Sequence, residues 1–102
     1  MRESAYGLAN SLIASKEVKA PLVILKKMED NTVKYIGFVP GLIMNNVEGS
    51  DIELVKTNLT KQTKNFINKM LKDNTPFPFF PTKEEILQDY PDTAYLKFIK
   101  IK

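Results

Sequence analysis

The stretch "YIGFVPGLIMNNVEGSDIELV", residues 35–55, contains the change of pattern that decides the fold. It begins as a β-branched and aromatic run, is interrupted at Pro40-Gly41, resumes as a second apolar run and breaks at Gly49-Ser50-Asp51. Such runs, bounded by proline, glycine and aspartate, predict strands. After Asp51 the apolar residues recur at helical spacing. The stretch therefore predicts strands that lead directly into a helix.

A β-hairpin is predicted around the start of this stretch. In "APLVILKKMEDNTVKYIGFV" two apolar runs, residues 22–28 and 33–39, flank the polar cluster Glu29-Asp30-Asn31-Thr32. A third strand is predicted at residues 42–47. Because the links between them are short, the strands are expected to form an antiparallel meander.

The long helix that follows has an apolar stripe at three- and four-residue steps, and its lysines avoid that stripe. Ser50 or Asp51 is expected to cap its start, where Asp51 and Glu53 suit the positive end of the helix dipole. The stripe consists of Ile52, Val55, Leu59, Phe66, Ile67, Met70 and Leu71.

Shorter elements are predicted on both sides of this core. The segment "PFPFFP", residues 76–81, favours an extended connection whose phenylalanines seal the edge of the core, with a polyproline ligand as the alternative. Thr82 begins a short capped helix that ends before Pro91, and "TAYLKFIKIK" is a final strand. A short N-terminal helix is predicted at residues 4–15 from the spacing of Ala5, Leu8, Ala9, Leu12 and Ile13.

The predicted fold class is α+β. An antiparallel sheet of three or four strands, in the order β-β-β-α-β, carries one long helix on one face, and a short N-terminal helix is added to it. A chain of 102 residues fits a single domain. Residues 1–20 would be a helical extension and residues 21–102 the core.

Composition excludes much catalytic chemistry. The chain has no cysteine and no histidine, which removes disulfides, thiolate metal sites, thiol nucleophiles and the usual general base near neutral pH. The predicted strand centres carry no carboxylates. No catalytic residue, metal or cofactor is therefore expected, and the chain is not expected to be an enzyme. No apolar run reaches the roughly 18 residues of a membrane span, so a cytoplasmic location is expected.

Both faces of the predicted sheet are apolar, because neighbouring residues in the first, second and last strands are all hydrophobic. One long helix covers only one face. Since large bare apolar patches are rare on monomers, the other face is expected to be covered by the N-terminal helix, a second copy or a protein partner.

The sequence leaves two alternatives to a protein-binding function. The order α-β-β-β-α resembles the double-stranded-RNA-binding domain, which grips phosphates with a lysine-rich start to its second helix. Here the corresponding turn, "GSDIELVK", is acidic until Lys56. The remaining alternative is a structural oligomeric domain.

The elements after the hairpin carry a more specific resemblance. A valine-proline corner, a glycine turn before a long amphipathic helix and a proline-bearing segment after it resemble the HicB-like antitoxin family. The matching motifs are Val39-Pro40-Gly41-Leu42, Gly49-Ser50-Asp51 and Pro76-Phe77-Pro78 with Pro81. The resemblance covers residues 21–102. The family's leucine-proline-glycine-cysteine tail is replaced here by Leu42-Ile43-Met44-Asn45.

The resemblance implies a degenerate ribonuclease-H-like fold without catalytic residues that neutralises a small basic RNA-cleaving toxin, HicA, by covering it. Many members also carry a C-terminal DNA-binding segment, which does not follow the closing strand here, so operator binding is not expected. A homo-oligomer, dimer or tetramer, is expected. A HicA-like toxin would be captured by apolar and acidic groups, although each could instead serve the core or a helix cap. The candidates are Tyr35, Phe38, Pro40, Leu42, Glu48, Asp51 and Glu53.

Overall fold

A computed structural model describes residues 18–100. Four strands form one antiparallel sheet in the spatial order β3-β2-β1-β4. The predicted N-terminal helix lies outside the described residues. In chain order the elements are β1 (Lys19–Glu29), β2 (Thr32–Phe38), β3 (Val47–Gly49), α1 (Ile52–Lys72), α2 (Lys83–Asp89) and β4 (Thr93–Lys100).

The β1–β2 hairpin confirms the first two predicted strands. Its two-residue turn places Asp30 at φ 51° and Asn31 at φ 65°. Positive φ at both central residues is the signature of a type I′ turn, and Asp and Asn tolerate it better than most residues. This turn fixes the register in which Leu25 lies opposite Ile36.

The corner after β2 is a tight turn. Leu42 N–H donates to the Val39 carbonyl over 3.1 Å, and Gly41 has φ 100°. Proline at the second position and a positive-φ glycine at the third are the requirements of a type II turn. The valine-proline-glycine motif therefore reverses the chain at this end of the sheet.

The third strand differs from its prediction. It was expected at residues 42–47 but covers only Val47–Gly49. The apolar run after the corner is not part of the sheet. Its side chains pack on the main core, where Leu42 and Met44 are half-buried. The Asn45 carbonyl accepts from Gln62 Nε2 on α1 over 2.6 Å, so this backbone is held by the helix and not by β2.

Helix α1 begins and ends at specific caps. The Asp51 carboxylate accepts from Glu53 N–H over 2.9 Å, which confirms the predicted N-cap. At the other end Asn74 has φ 56°, Thr75 N–H donates to the Met70 carbonyl and Asn74 N–H to that of Leu71. These two hydrogen bonds form a Schellman motif, with asparagine in the left-handed position where glycine is more usual.

The main core lies between α1 and one face of the sheet. Alternate residues of β1 bury their side chains against the buried stripe of α1. Gly37 lies directly beneath the helix, where a Cβ atom would stand 3.0 Å from Leu59 Cδ2. The fully enclosed members of this core are Ala20, Leu22, Ile24, Val39, Val55, Leu59 and Ile67.

The second face of the sheet is partly covered by the chain's own short helix. Thr82 caps α2 in a reciprocal capping box with Glu85, as the sequence predicts. Ile86 then packs in a second cluster with Val23 and Leu25, and is 1% exposed. Cover on this face was expected only from the N-terminal helix, a second copy or a partner, and that expectation overlooked α2.

The last strand runs antiparallel to β1 and forms an edge of the described sheet. Because α1 and α2 pack on opposite faces, the chain passes around the end of the sheet before β4 begins. A register irregularity at Ile24/Leu25 marks where β4 starts. Within residues 18–100, neither helix combines the length and apolar character that crossing a bilayer requires.

Candidate interaction surface

An apolar cleft lies at the end of the sheet where β2 finishes. It is formed where the type II corner, the end of α1 and the proline segment meet, and it encloses about 360 Å³. We call it the corner cleft. Its lining residues are Gly41, Leu42, Ile43, Phe66, Met70, Pro76, Phe77 and Pro78.

Local backbone geometry brings these walls together. The positive φ of Gly41 turns the chain towards the proline segment, where a Cβ atom would stand 3.3 Å from Phe80 Cδ1 and 3.7 Å from the Phe79 carbonyl oxygen. The Schellman motif at Asn74 ends α1, and the proline segment begins two residues later at Pro76. Two motifs that are distant in sequence therefore share one surface.

Two large apolar side chains are exposed here: Ile43 lines the cleft, and Phe79 directly follows the lining residue Pro78. Ile43 is 95% exposed and Phe79 is 102% exposed. By contrast Phe77 and Phe80 pack against the main core, as predicted for phenylalanines that seal its edge. The prediction for the proline segment is thus confirmed for two of its phenylalanines and wrong for Phe79.

The apolar candidates from the sequence divide between three places. Tyr35 is half-buried in the α1-side core, whereas Phe38 lies on the opposite face with its ring 5.0 Å from that of Tyr90 in an edge-to-face contact. Pro40 and Leu42 belong to the corner, and only Leu42 lines the cleft. The structure therefore brings neither Tyr35 nor Phe38 to the corner cleft.

Each acidic candidate has a contact within the chain. Glu48 pairs with Lys34 over 2.8 Å, and this hydrogen bond and charge raise the pKa of Lys34 above its ordinary value. Glu53 pairs with Lys56 over 3.0 Å, and Asp51 caps α1. The acidic candidates therefore lie around the start of α1, while the cleft lies at its other end.

The exposed face of α1 carries the remaining charged surface of interest. Lys56, Lys61 and Lys64 line a shallow depression of about 490 Å³ with two threonines. The Lys56 ammonium is already held by Glu53 and stands 4.5 Å from the centre of the Tyr95 ring. In the part of the chain that the structure describes, no group of acidic side chains is arranged to hold a metal ion.

Comparisons with protein-family models, curated proteins and solved structures give no match to this chain. The arguments that follow therefore start from the corner cleft and its exposed side chains. Sequence reasoning missed Ile43, Phe66 and Phe79 as surface residues. The available signal was the extended character of the proline segment, in which successive side chains point in different directions.

Proposed function

We propose that this chain is a noncatalytic HicB-like inhibitor of the antitoxin type, which binds a small, basic, HicA-like RNA-cleaving toxin at the corner cleft. One observation carries the proposal. The corner motif and the proline segment, both of which take part in the family resemblance, meet in one apolar cleft flanked by Ile43 and Phe79.

The exposure of these side chains favours a protein partner over a structural role. An exposed phenylalanine contributes nothing to the core, and apolar groups that stand beside a cleft mark interaction sites. Aromatic anchors that become fully desolvated supply most of the free energy at protein interfaces. A partner that packed on Phe79 and filled the cleft would bury both the side chain and its apolar surroundings.

Charge plays the smaller part in this proposal. Glu48 and Glu53 are each offset by a lysine of the same chain, and Asp51 is engaged at the helix cap. Attraction of a basic toxin by these carboxylates would therefore affect mainly the association rate. We assign the affinity to the apolar cleft.

The proposal predicts that a short basic HicA-like protein is encoded beside this chain's gene, and the test uses that protein. Its cleavage of a labelled RNA is measured against increasing amounts of the purified full chain, and stoichiometric inhibition is expected. Truncation of an aromatic hot-spot residue costs about 2 kcal/mol or more, which corresponds to roughly thirtyfold weaker inhibition for Phe79→Ala.

Leu54→Ala is the matched control for Phe79→Ala. Leu54 is 61% exposed on α1. It lies twelve residues before Phe66, about 18 Å along the helix at a rise of 1.5 Å per residue. Inhibition should be unchanged in this variant. Absence of an encoded partner, absence of inhibition, or equal effects of the two variants would each overturn the proposal.

RNA binding is the second candidate, favoured by the lysine-lined depression on α1. Contacts between lysines and phosphates make affinity fall steeply with salt. Binding to a duplex RNA that weakens with salt and with Lys61→Gln plus Lys64→Gln would support this function. Binding that is insensitive to both would exclude the depression as its site.

A further inference from the structure

We propose that a groove between α1 and residues 43–47 binds an extended peptide segment, whose backbone is hydrogen-bonded by side-chain amides along the groove. The groove continues from the corner cleft, with which it shares Ile43 and Phe66. From there it runs along α1 to Asn58 and Lys61. We call it the amide groove. Its polar lining residues are Asn45, Asn46, Asn58, Lys61, Gln62 and Asn65.

A hydrogen bond within the chain holds the two walls of the amide groove together. Gln62 Nε2 donates to the Asn45 carbonyl over 2.6 Å. This bond uses a donor of the Gln62 amide and leaves its Oε1 as an acceptor. Asn58 and Asn65 are exposed on the same helix, on either side of Gln62. The groove is therefore formed before a ligand binds, which reduces the entropy cost of binding.

The amides suit a peptide backbone in chemistry and in spacing. A side-chain amide carries the N–H donors and C=O acceptor of a peptide group, so it can bond to a backbone whatever the ligand's side chains are. Asn58 and Gln62 are four residues apart, about 6.0 Å along the helix. An extended peptide turns the N–H and C=O of every second residue to the same side, at intervals of about 6.6 Å. The spacing of these two amides therefore matches the repeat of an extended peptide.

The two ends of the groove specify the side chains of the peptide. One end is the apolar corner cleft, and Lys61 at the other end also lines the depression that contains Lys56 and Lys64. Lys61 and Met70 are nine residues apart, about 13.5 Å along the helix, which is about four residues of extended chain. The peptide therefore has an apolar residue in the corner cleft and an acidic residue about four positions away. This inference rests on the proposed function for a protein partner at the cleft and adds the form of the segment that binds.

A single-stranded nucleic acid fits the amide groove less well. Such a ligand requires a basic track along its backbone and aromatic platforms for successive bases. Among the described residues that line the groove, Lys61 is the one cation and Phe66 the one aromatic ring, and they lie towards opposite ends. A peptide needs neither a track nor a row of platforms.

Peptide selection tests the ligand class. The purified full chain is panned with a phage-displayed library of random linear dodecapeptides. Enrichment is expected for peptides with a large apolar residue and, about four positions from it, an aspartate or glutamate. Failure to enrich linear peptides, or enrichment without this pattern, would overturn the proposal.

Substitutions in the chain locate the site. Asn65→Ala should weaken binding of a selected synthetic peptide by roughly three- to tenfold, the effect of one lost hydrogen bond. Asn68→Ala is the matched control, because Asn68 is another exposed asparagine of α1 but does not line the groove. Its affinity should equal that of the wild type. Equal effects of the two variants would overturn the assignment of the peptide to this groove.

N-methylation of the selected peptide separates backbone recognition from side-chain recognition. Moved one residue at a time through the centre of the peptide, the methyl group should weaken binding at alternate positions only. A uniform effect or none would overturn backbone recognition by the amides. An octauridylate RNA that displaces the peptide, and that binds Asn65→Ala less tightly than wild type, would assign the groove to single-stranded RNA instead.

The outcomes for the groove and for the proposed function can be told apart, because the peptide measurements use no toxin. Inhibition of the toxin that depends on Phe79, without peptide binding, would overturn the peptide groove alone. Peptide binding to this groove, without an encoded toxin that the chain inhibits, would overturn the proposed function alone.

Discussion

Thr63 shows at the scale of a single residue how a sequence pattern can hide part of a core. It lies between Leu59 and Ile67 on the buried stripe of α1 and is fully buried, and its Oγ1 has no hydrogen-bond partner among residues 18–100. A polar residue interrupts the apolar periodicity, so the stripe as predicted omitted it. The backbone geometry of the helix, and not the hydrophobicity of the side chain, places it in the core.

Replacing Thr63 with valine should stabilise the fold. The substitution keeps the shape of the side chain and removes a buried hydroxyl that has lost its water, which costs about 1–3 kcal/mol when unsatisfied. The free energy of unfolding, measured by urea denaturation, should rise by a similar amount. Thr60→Val is the control, because Thr60 Oγ1 donates to the Lys56 carbonyl over 2.8 Å and the variant loses this bond. A decrease for Thr63→Val would show that the hydroxyl is satisfied.

Phe79 shows the opposite limit of sequence reasoning. The motifs of the corner and of the proline segment could both be read from the sequence, because proline and glycine have local conformational requirements. Their meeting in one cleft, and the outward direction of Phe79 beside inward Phe77 and Phe80, depend on the path of the whole chain. Local pattern therefore identified the motifs but not the surface that they build.

The caps are the part of each helix that the sequence predicted best. Thr82 was identified from residue type and position, and Asp51 was one of two candidates with Ser50, since a short polar side chain before an apolar periodic run satisfies the first free N–H groups. The strand after the corner was predicted less well. An apolar run predicts burial, but only a neighbouring backbone makes it a strand, and here Gln62 holds that backbone instead.

The stability contributed by the cap hydrogen bond of Asp51 can be distinguished from that contributed by its negative charge. Asp51→Ala should lower the free energy of unfolding by about 1 kcal/mol, whereas Asp51→Asn keeps the acceptor and should stay within a few tenths of a kcal/mol of the wild type. Urea denaturation checks both. Equal destabilisation by the two variants would mean that the charge near the helix dipole, and not the cap bond, stabilises the start of α1.

The short helix α2 depends on its docking and not on its own propensity. A helix of seven residues is far below the length at which helices are stable alone, so Ile86 must hold it on the sheet. Ile86→Ala should cost about 2–4 kcal/mol. Leu87→Ala, at a neighbouring position that is 43% exposed, should change stability by less than about 0.5 kcal/mol. Similar losses for both variants would contradict the docking of α2 through Ile86.

At the scale of the whole molecule, two exposed ion pairs connect strands that lie far apart in sequence. Lys34 on β2 pairs with Glu48 on β3, and Lys27 on β1 pairs with Asp92 in the turn directly before β4. They tie both edge strands of the described sheet to its inner strands. The sequence showed charges spread along the chain but could not pair them, because pairing follows from strand register.

The contribution of these two ion pairs to the stability of the fold should depend on pH. The hydrogen bond from Lys27 holds the pKa of Asp92 below its ordinary value of 3.8, so this contribution is present above that pH and is lost as the pH falls through the folded-state pKa. Glu48 raises the pKa of Lys34 above 10.5. Its contribution is therefore present below pH 10.5 and is lost as the pH rises beyond the folded-state value.

Asp92→Asn should accordingly melt at a lower temperature than the wild type near neutral pH, and the two melting temperatures should converge as the pH falls through the lowered folded-state pKa of Asp92. The difference should also shrink in high salt, because the pair is exposed and screened. Asp89→Asn, which removes an exposed carboxylate at the end of α2, is the control and should not reproduce this convergence. A difference for Asp92→Asn that is constant in pH and in salt would mean that the Asp92 side chain acts through its shape at the β4 turn and not through its charge.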